Sequence, residues 1–259
     1  MILYQRVSKI EKPYYRIYRP YKNLKNTSEK VYDYISDKRN CKNRKEIIRY
    51  CSILQKEVID ILEYIELSDK NMEVYSLKIY KVFLSICTEI ENNFKGILYA
   101  NDYKVGQQLN MKYDYFKLEK VMKLSQYKVK ILLNDYEKVI QPFKEWENQS
   151  EYNSIEWYKD YNDLKHNRSD NFEKAKLVNL IKAVCALNII LYAQFYEYSK
   201  AIDGKNSLSF FTDDGEMLIQ DSIGIMNIEE KPTWLEEEKY DFDWNKLKEL
   251  NEPYVYMDF

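Results

Sequence analysis

The chain has 259 residues, which at roughly 150 residues per domain makes one large domain or two small ones. Hydrophobic residues make up 45% and charged residues 32%, an ordinary globular balance, and 40 Lys+Arg against 42 Asp+Glu leave a net charge of −2. Only 5 Gly and 5 Pro argue against a loop-rich β protein, and neither G-x-G-x-x-G nor G-x-x-x-x-G-K occurs, so the glycine-rich phosphate loops are excluded.

Residues 1–26 read as irregular, because Pro13 and Pro20 break any helix. A short helix is expected over Ser28–Ser36. From Lys42 to Ile65, Ile47, Ile48, Cys51, Ile53, Leu54, Val58, Ile61, Leu62 and Ile65 recur at helical spacing. Ser68-Asp69 offers a turn and an N-cap. A second long helix follows over Met72–Leu98, and Gly96 is read as the start of its end. A polar loop at 101–112 leads to a short helix over Tyr115–Leu124. Tyr127–Leu133 alternates in part and is read as a strand. Pro142 interrupts the next segment. Ile155–His166 reads as helix, broken at Asn167-Arg168-Ser169. Asp170 and Glu173 have capping-box spacing, and a long apolar helix runs over Phe172–Tyr198.

Beyond Lys200 the pattern changes. Leu208–Phe211 and Met217–Ile219 flank Asp213-Asp214-Gly215-Glu216, a hairpin signal. Ile223–Ile228 offers a third strand and Asp243–Leu250 a last short helix. The expected fold is therefore mainly α. It has a basic, tyrosine-rich segment at 1–40, a helical bundle at 41–200 and an acidic appendage with a β-hairpin at 201–259.

Net charge conceals an asymmetry. Residues 1–50 hold 14 Lys+Arg and 5 Asp+Glu, giving +9, while residues 201–259 hold 5 and 15, giving −10. Cations between Tyr14, Tyr15, Tyr18 and Tyr21 suit phosphates and stacked bases. The favoured reading is instead that the acidic tail packs on the basic head or that both are solvated, because the whole protein is slightly acidic.

Cys41, Cys51, Cys87 and Cys185 form no C-x-x-C pair, and one histidine forbids H-E-x-x-H, so a zinc ribbon and a zincin are excluded and no metal or cofactor is expected. Three of the four cysteines lie in apolar helical patterns and read as buried free thiols. Asp213 and Asp214 are better explained by hairpin-turn chemistry than by metal binding. No stretch approaches the ~20 apolar residues of a membrane span, and Met1-Ile2-Leu3-Tyr4-Gln5-Arg6 has no apolar signal core. A soluble cytoplasmic protein is expected.

The one histidine is the place to look for chemistry. Lys159, Asn162 and His166 stand at i, i+3 and i+7 and share one helical stripe. That stripe is too polar for a core face. It meets the start of the next helix, whose free amides favour an anion. Lys159 and Arg168 would hold a phosphate there, and His166, whose type titrates near neutrality, would move a proton. The plainer reading of the same residues is that His166 and Asn162 cap or cross-link two helices.

The segment Trp157–Leu187, with YNDLKHNR followed by NFEKAKLVNLIKAVCALNIILY, resembles the HEPN superfamily, and so more loosely does Ile86–Lys95. The likeness spans about residues 45–200. It implies a four- or five-helix bundle that dimerises. It also implies a cleft in which an Arg–four to six residues–His motif meets its symmetry mate. Many members are metal-independent endoribonucleases of toxin–antitoxin, phage-exclusion and other antiviral defence systems; others are inactive or bind nucleotides. No Arg stands at the family's distance before His166: Tyr161 and Lys159 occupy two of those places, and Arg168 follows instead. Lysine is a point charge where arginine is a fork. The resemblance thus names His166, Lys159, Asn162 and Arg168 as the site, with Tyr161, Lys165 and Glu89 in support, Glu89 orienting His166; the plainer and favoured reading of Glu89 is a solvated or helix-pairing carboxylate. The partners expected are a second copy of the chain and RNA or a nucleotide. The alternative is a non-catalytic helical module that binds a partner protein or a nucleotide. A further argument for a dimer is that Ile189, Ile190, Leu191, Tyr192 and Phe195 cannot all face one core stripe.

Overall fold

The computed structural model describes residues 10–22, 33–104, 108–133, 135–148, 152–196, 210–211, 217–219 and 226–259. The fold is mainly α. Its helices are α1 (Asp33–Ser36), α2 (Arg44–Leu62), α3 (Leu77–Ala100), α4 (Glu119–Met122), α5 (Glu156–His166), α6 (Arg168–Asn171), α7 (Leu177–Phe195) and α8 (Trp244–Leu247). The strands are β1 (Lys128–Leu133), β2 (Tyr136–Ile140), β3 (Phe210–Phe211), β4 (Met217–Ile219) and β5 (Met226–Glu230). Among the described residues, α2, α3, α5 and α7 are the helices longer than two turns.

The centre of the molecule is α7. Only Val178 and Lys182 of its 19 residues fall outside the buried set. It packs against α2, α3 and α5. The sheet also reaches it, with Tyr127 edge-on to Tyr192 and Asn188 Nδ2 donating to Met226 Sδ at 3.1 Å. Its length and composition would let it cross a membrane, but it lies almost wholly inside the fold. Ile189, Ile190, Leu191, Tyr192 and Phe195 are all at most 3% exposed within one chain. The covering surface is therefore the chain's own, and the argument that α7 needs a second subunit falls. A homodimer then rests on the resemblance alone.

Strands β2, β1 and β5 form one antiparallel sheet in that order, with Leu133 opposite Tyr136 and Ile131 opposite Met226. The strand expected near Ile223–Ile228 thus pairs with β1 from the middle of the chain, not with the hairpin beside it. Val129 and Ile131 are buried, which anchors the sheet to the core. Strands β3 and β4 pair antiparallel. The turn at 212–216 between them, with Asp213 and Asp214, lies outside the described residues, as does the stretch Ser28–Val31 ahead of α1.

The expected head-to-tail packing is present. Tyr14 pairs with Val255, and Ile10 and Tyr21 with Tyr240, as parallel bridges. Tyr240 N donates to Pro20 O at 2.9 Å, and Tyr240 Oη donates to Ile17 O at 3.0 Å. Tyr21, Tyr34, Tyr240, Phe242 and Trp244 interlock edge-on and tilted. Rings and backbone hydrogen bonds build this contact. One buried cluster therefore draws on all three segments read from the sequence. All four cysteines are free and buried, and burial raises each thiol's pKa.

Two helix ends differ from expectation. Helix α3 starts at Leu77 because the residues before it pair with the start of α7: Leu177 N donates to Val74 O at 2.8 Å and Val178 N to Met72 O at 3.0 Å. Its cap is Ser76, whose Oγ accepts from Ile79 N at 3.1 Å, rather than Ser68. Gly96 does not end α3, which runs on to Ala100. A β-carbon at Gly96 would lie 2.0 Å from Arg16 Nη1, so the glycine makes room for a buried guanidinium.

Candidate functional site

Helix α5 sorts its residues by face. Trp157, Tyr158, Tyr161 and Leu164 are buried, whereas Lys159 and His166 are exposed and Asn162 is half-buried. The helix stops at Asn167, whose non-helical backbone (φ −149°, ψ 81°) starts α6. Asn167 Oδ1 accepts from Asp170 N at 3.4 Å, so Asn167 is the cap rather than Asp170. Lys174 pairs with Asp163, and Asn179 Nδ2 donates to Asp160 Oδ2 at 2.8 Å, which ties the far side of α5 to the start of α7.

Lys159, Asn162, Lys165 and His166 line one open cleft of about 430 Å³. Lys112 and Glu91 complete its charged wall. Glu91 is only 9% exposed and gathers donors: Tyr158 Oη at 2.9 Å, Lys165 Nζ at 3.4 Å and Lys95 Nζ at 3.7 Å. The Tyr158 hydroxyl is held well above its usual pKa, by burial first and by the Glu91 charge second. Desolvation pulls the Lys165 ammonium down, but its bond to Tyr161 and the Glu91 charge outweigh this, and its pKa is raised. Among the described residues, Lys159 and Lys112 have no carboxylate at ion-pair distance, and the Lys112 ammonium lies 5.0 Å from the Tyr113 ring centroid.

The other expected site residues lie elsewhere. Arg168 is outside the cleft: the break at Asn167 turns the chain, and its guanidinium carbon sits 5.7 Å from the Tyr80 ring centroid on α3. Tyr161 is 1% exposed, edge-on to Phe83, and cannot meet a phosphate; its ring instead receives the Lys165 ammonium at 5.1 Å. Glu89 does not face His166. It stands two residues from Glu91, about 200° around the helix, and lines a different pocket. Glu91 is the carboxylate of the His166 cleft.

That second pocket holds a constellation the sequence reading did not assemble. Arg16 is 7% exposed, with a left-handed backbone (φ 56°) that a non-glycine residue rarely adopts. Its backbone N donates to Asn40 Oδ1 at 2.7 Å. Its Nε and Nη2 donate to Gln194 Oε1 at 2.9 and 2.7 Å, and Nη2 also reaches Asn93 Oδ1 at 3.3 Å. Asn93 Nδ2 passes the chain on to Glu89 Oε1 at 2.9 Å. The groups come from the head, α3 and α7, and of them only Glu89, Asn92 and Asn93 share a helical spacing that can be counted in the sequence. Burial lowers the Arg16 pKa. Burial also raises the Glu89 pKa, opposed by its bonds to Asn92 and Asn93 and by the Arg16 charge.

A carboxyl whose folded-state pKa is raised is best tolerated protonated. The stability it contributes is full below the unfolded-state value and is lost as pH rises through the folded value. Glu89→Gln is uncharged at every pH and nearly isosteric. It should melt above the wild type at pH 7, with the gap closing as pH falls below about 4. Thermal melts between pH 4 and pH 8 check this; a lower melting temperature for Glu89→Gln at pH 7 would show that the charge stabilises the fold.

Compared with models of protein families, with curated proteins and with solved structures, the chain has no match in any of the three.

Proposed function

We propose that the protein is an HEPN-like, RNA-binding and RNA-cleaving protein of a bacterial defence or toxin system, acting without a metal. The observation that supports the reading is the gathering of Lys159, Asn162, Lys165, Lys112 and the only histidine around one open cleft. In this reading Lys159 and Lys112 hold the phosphate, and Asn162 orients it. His166 takes the proton from a 2′-hydroxyl, whose oxygen attacks the adjacent phosphorus. The bond to the 5′ oxygen breaks, and water in the open cleft protonates that leaving oxygen. Lys165 is a positioning residue, braced by Glu91.

His166 is exposed, so His166→Ala should fold normally. Total RNA from cells expressing wild type should be fragmented. Cells with equal soluble His166→Ala should show fragmentation reduced at least ~100-fold. Identical RNA patterns would sink the cleavage reading. The pairing of Lys165 with Glu91 and the outward turn of Arg168 favour the second reading, a non-catalytic module for a partner protein or nucleotide, which identical patterns would support.

A further inference from the structure

The Arg16 pocket is separate from the His166 cleft, and its chemistry is more specific. It encloses about 380 Å³, within the size range of small-molecule sites. Its lining includes Arg16, Glu89, Asn43, Glu46, Tyr50 and Asn92. Three features mark it as built for a ligand.

The first is spare bonding capacity. Arg16 Nε and Nη2 are used on Gln194 and Asn93, but among the described residues Nη1 has no hydrogen-bond partner. Nη1 lies over Gly96, which lines the pocket. Among the described residues, the Glu89 carboxylate accepts from Asn93 Nδ2 at 2.9 Å and from Asn92 Nδ2 at 3.4 Å, and a carboxylate has room for about four donors. The second is rigidity. Arg16 is held in a left-handed backbone by Asn40, and strain of this kind persists where the surroundings over-determine it. Asn93, bonded on both sides, fixes the guanidinium and carboxylate one carboxamide apart. The third is charge. A free phosphate would face Glu89 and Glu46, and a free ammonium would face Arg16. A neutral group with an acceptor beside donors matches both.

Among the common nucleobases, guanine alone offers on its Watson–Crick edge one acceptor, O6, beside two neighbouring donors, N1–H and the 2-amino group. Adenine gives one donor and one acceptor, and uracil would set a second acceptor against the carboxylate. Tyr50, 43% exposed at the rim, presents an aromatic face of the kind that stacks on unpaired bases.

We propose that this pocket binds an unpaired guanine, with Glu89 accepting from N1–H and the 2-amino group, Arg16 Nη1 donating to O6, and Tyr50 stacking on the ring. A shallower depression that shares Arg16 and Asn43 with the pocket is lined by Lys38 and Lys42, which places cations where a phosphate attached to the base would lie. The base comes from a free nucleotide or from a single-stranded RNA. The inference does not rest on cleavage at His166.

Titration calorimetry with guanosine, inosine and adenosine tests it. Guanosine should bind, inosine, which lacks the 2-amino group, at least ~10-fold more weakly, and adenosine not measurably. Glu89→Gln should lose guanosine while remaining folded. Tyr50→Ala, a change at an exposed ring, should weaken guanosine ~10-fold. His166→Ala should bind guanosine as wild type does, whatever its effect on RNA. Guanosine monophosphate against a single-stranded uridine pentamer with one central guanosine identifies the source: tighter binding of the pentamer means RNA, and equal or weaker binding means the free nucleotide. The inference is overturned if guanosine fails to bind at millimolar concentration, if the three nucleosides bind alike, or if Glu89→Gln binds guanosine as wild type does.

Discussion

Gly96→Ala is expected to destabilise the protein by about 2–4 kcal/mol, although alanine in a helix interior ordinarily gains ~1 kcal/mol over glycine. The sign reverses because of what lies above the helix. The new β-carbon would stand 2.0 Å from Arg16 Nη1 and 2.8 Å from its Cζ, inside any real contact distance. The guanidinium cannot swing away cheaply. Arg16 as a whole is only 7% exposed, and its Nε and Nη2 hold Gln194 and Asn93 together. Displacing it leaves those carboxamide oxygens short of donors inside the core. Denaturant unfolding of Gly96→Ala measures the loss, and stability at or above wild type would show that Arg16 adapts. In the double variant with Arg16→Ala the clash is gone, so the two losses should not add.

Trp157→Ala is expected to lose about 3–5 kcal/mol, enough to leave little folded protein at 37 °C. Trp157 is 1% exposed, lies against Phe143 and Tyr158, and donates from Nε1 to Pro142 O at 2.8 Å. Removing it opens a cavity and strips a buried carbonyl of its donor. Nine residues along the same helix, His166→Ala should stay within ~0.5 kcal/mol of wild type, because its side chain is in solvent. Equilibrium unfolding of both variants tests the contrast. A stable Trp157→Ala would mean that α5 is held by its polar ties to α7 instead.

Helices α2, α3 and α5 were readable because each carries an apolar stripe of period 3.6 that survives in one dimension, and α7 because it is apolar over its whole length. Strand β1 was readable from its alternation. Strand β2 was not: Tyr136-Glu137-Lys138-Val139-Ile140 is an outer strand with its middle three residues exposed, so burial imposed no pattern on it. The pairing of β5 with β1 joins residues about a hundred positions apart, which local spacing does not encode. The same division holds at the sites. Lys159, Asn162, Lys165 and His166 share one cleft because one helix carries them, and helical geometry is calculable from spacing. Arg168 left that group because a single non-helical residue, Asn167, redirects the chain. Glu89 and Glu91 exchanged places because which side of α3 faces α5 is a tertiary fact. Arg16, Asn93, Gly96 and Gln194 are scattered over nearly two hundred positions, and Gly96 in a helix interior was legible only as a helix end.

The bridging of residues 10–21 to residues 240–255 sets an order of events during synthesis. The rings of Tyr21 and Tyr34 and the carbonyls of Pro13, Ile17 and Pro20 find their partners on Tyr240, Trp244 and Val255. A nascent chain that has not reached Tyr240 lacks those partners, and its head has α3 and α7 to pack on. The helices can collapse on one another by then, since their contacts are nearer in sequence. Closing the head on the tail spans more than two hundred residues, so it carries a larger loop-closure entropy than the contacts among the helices.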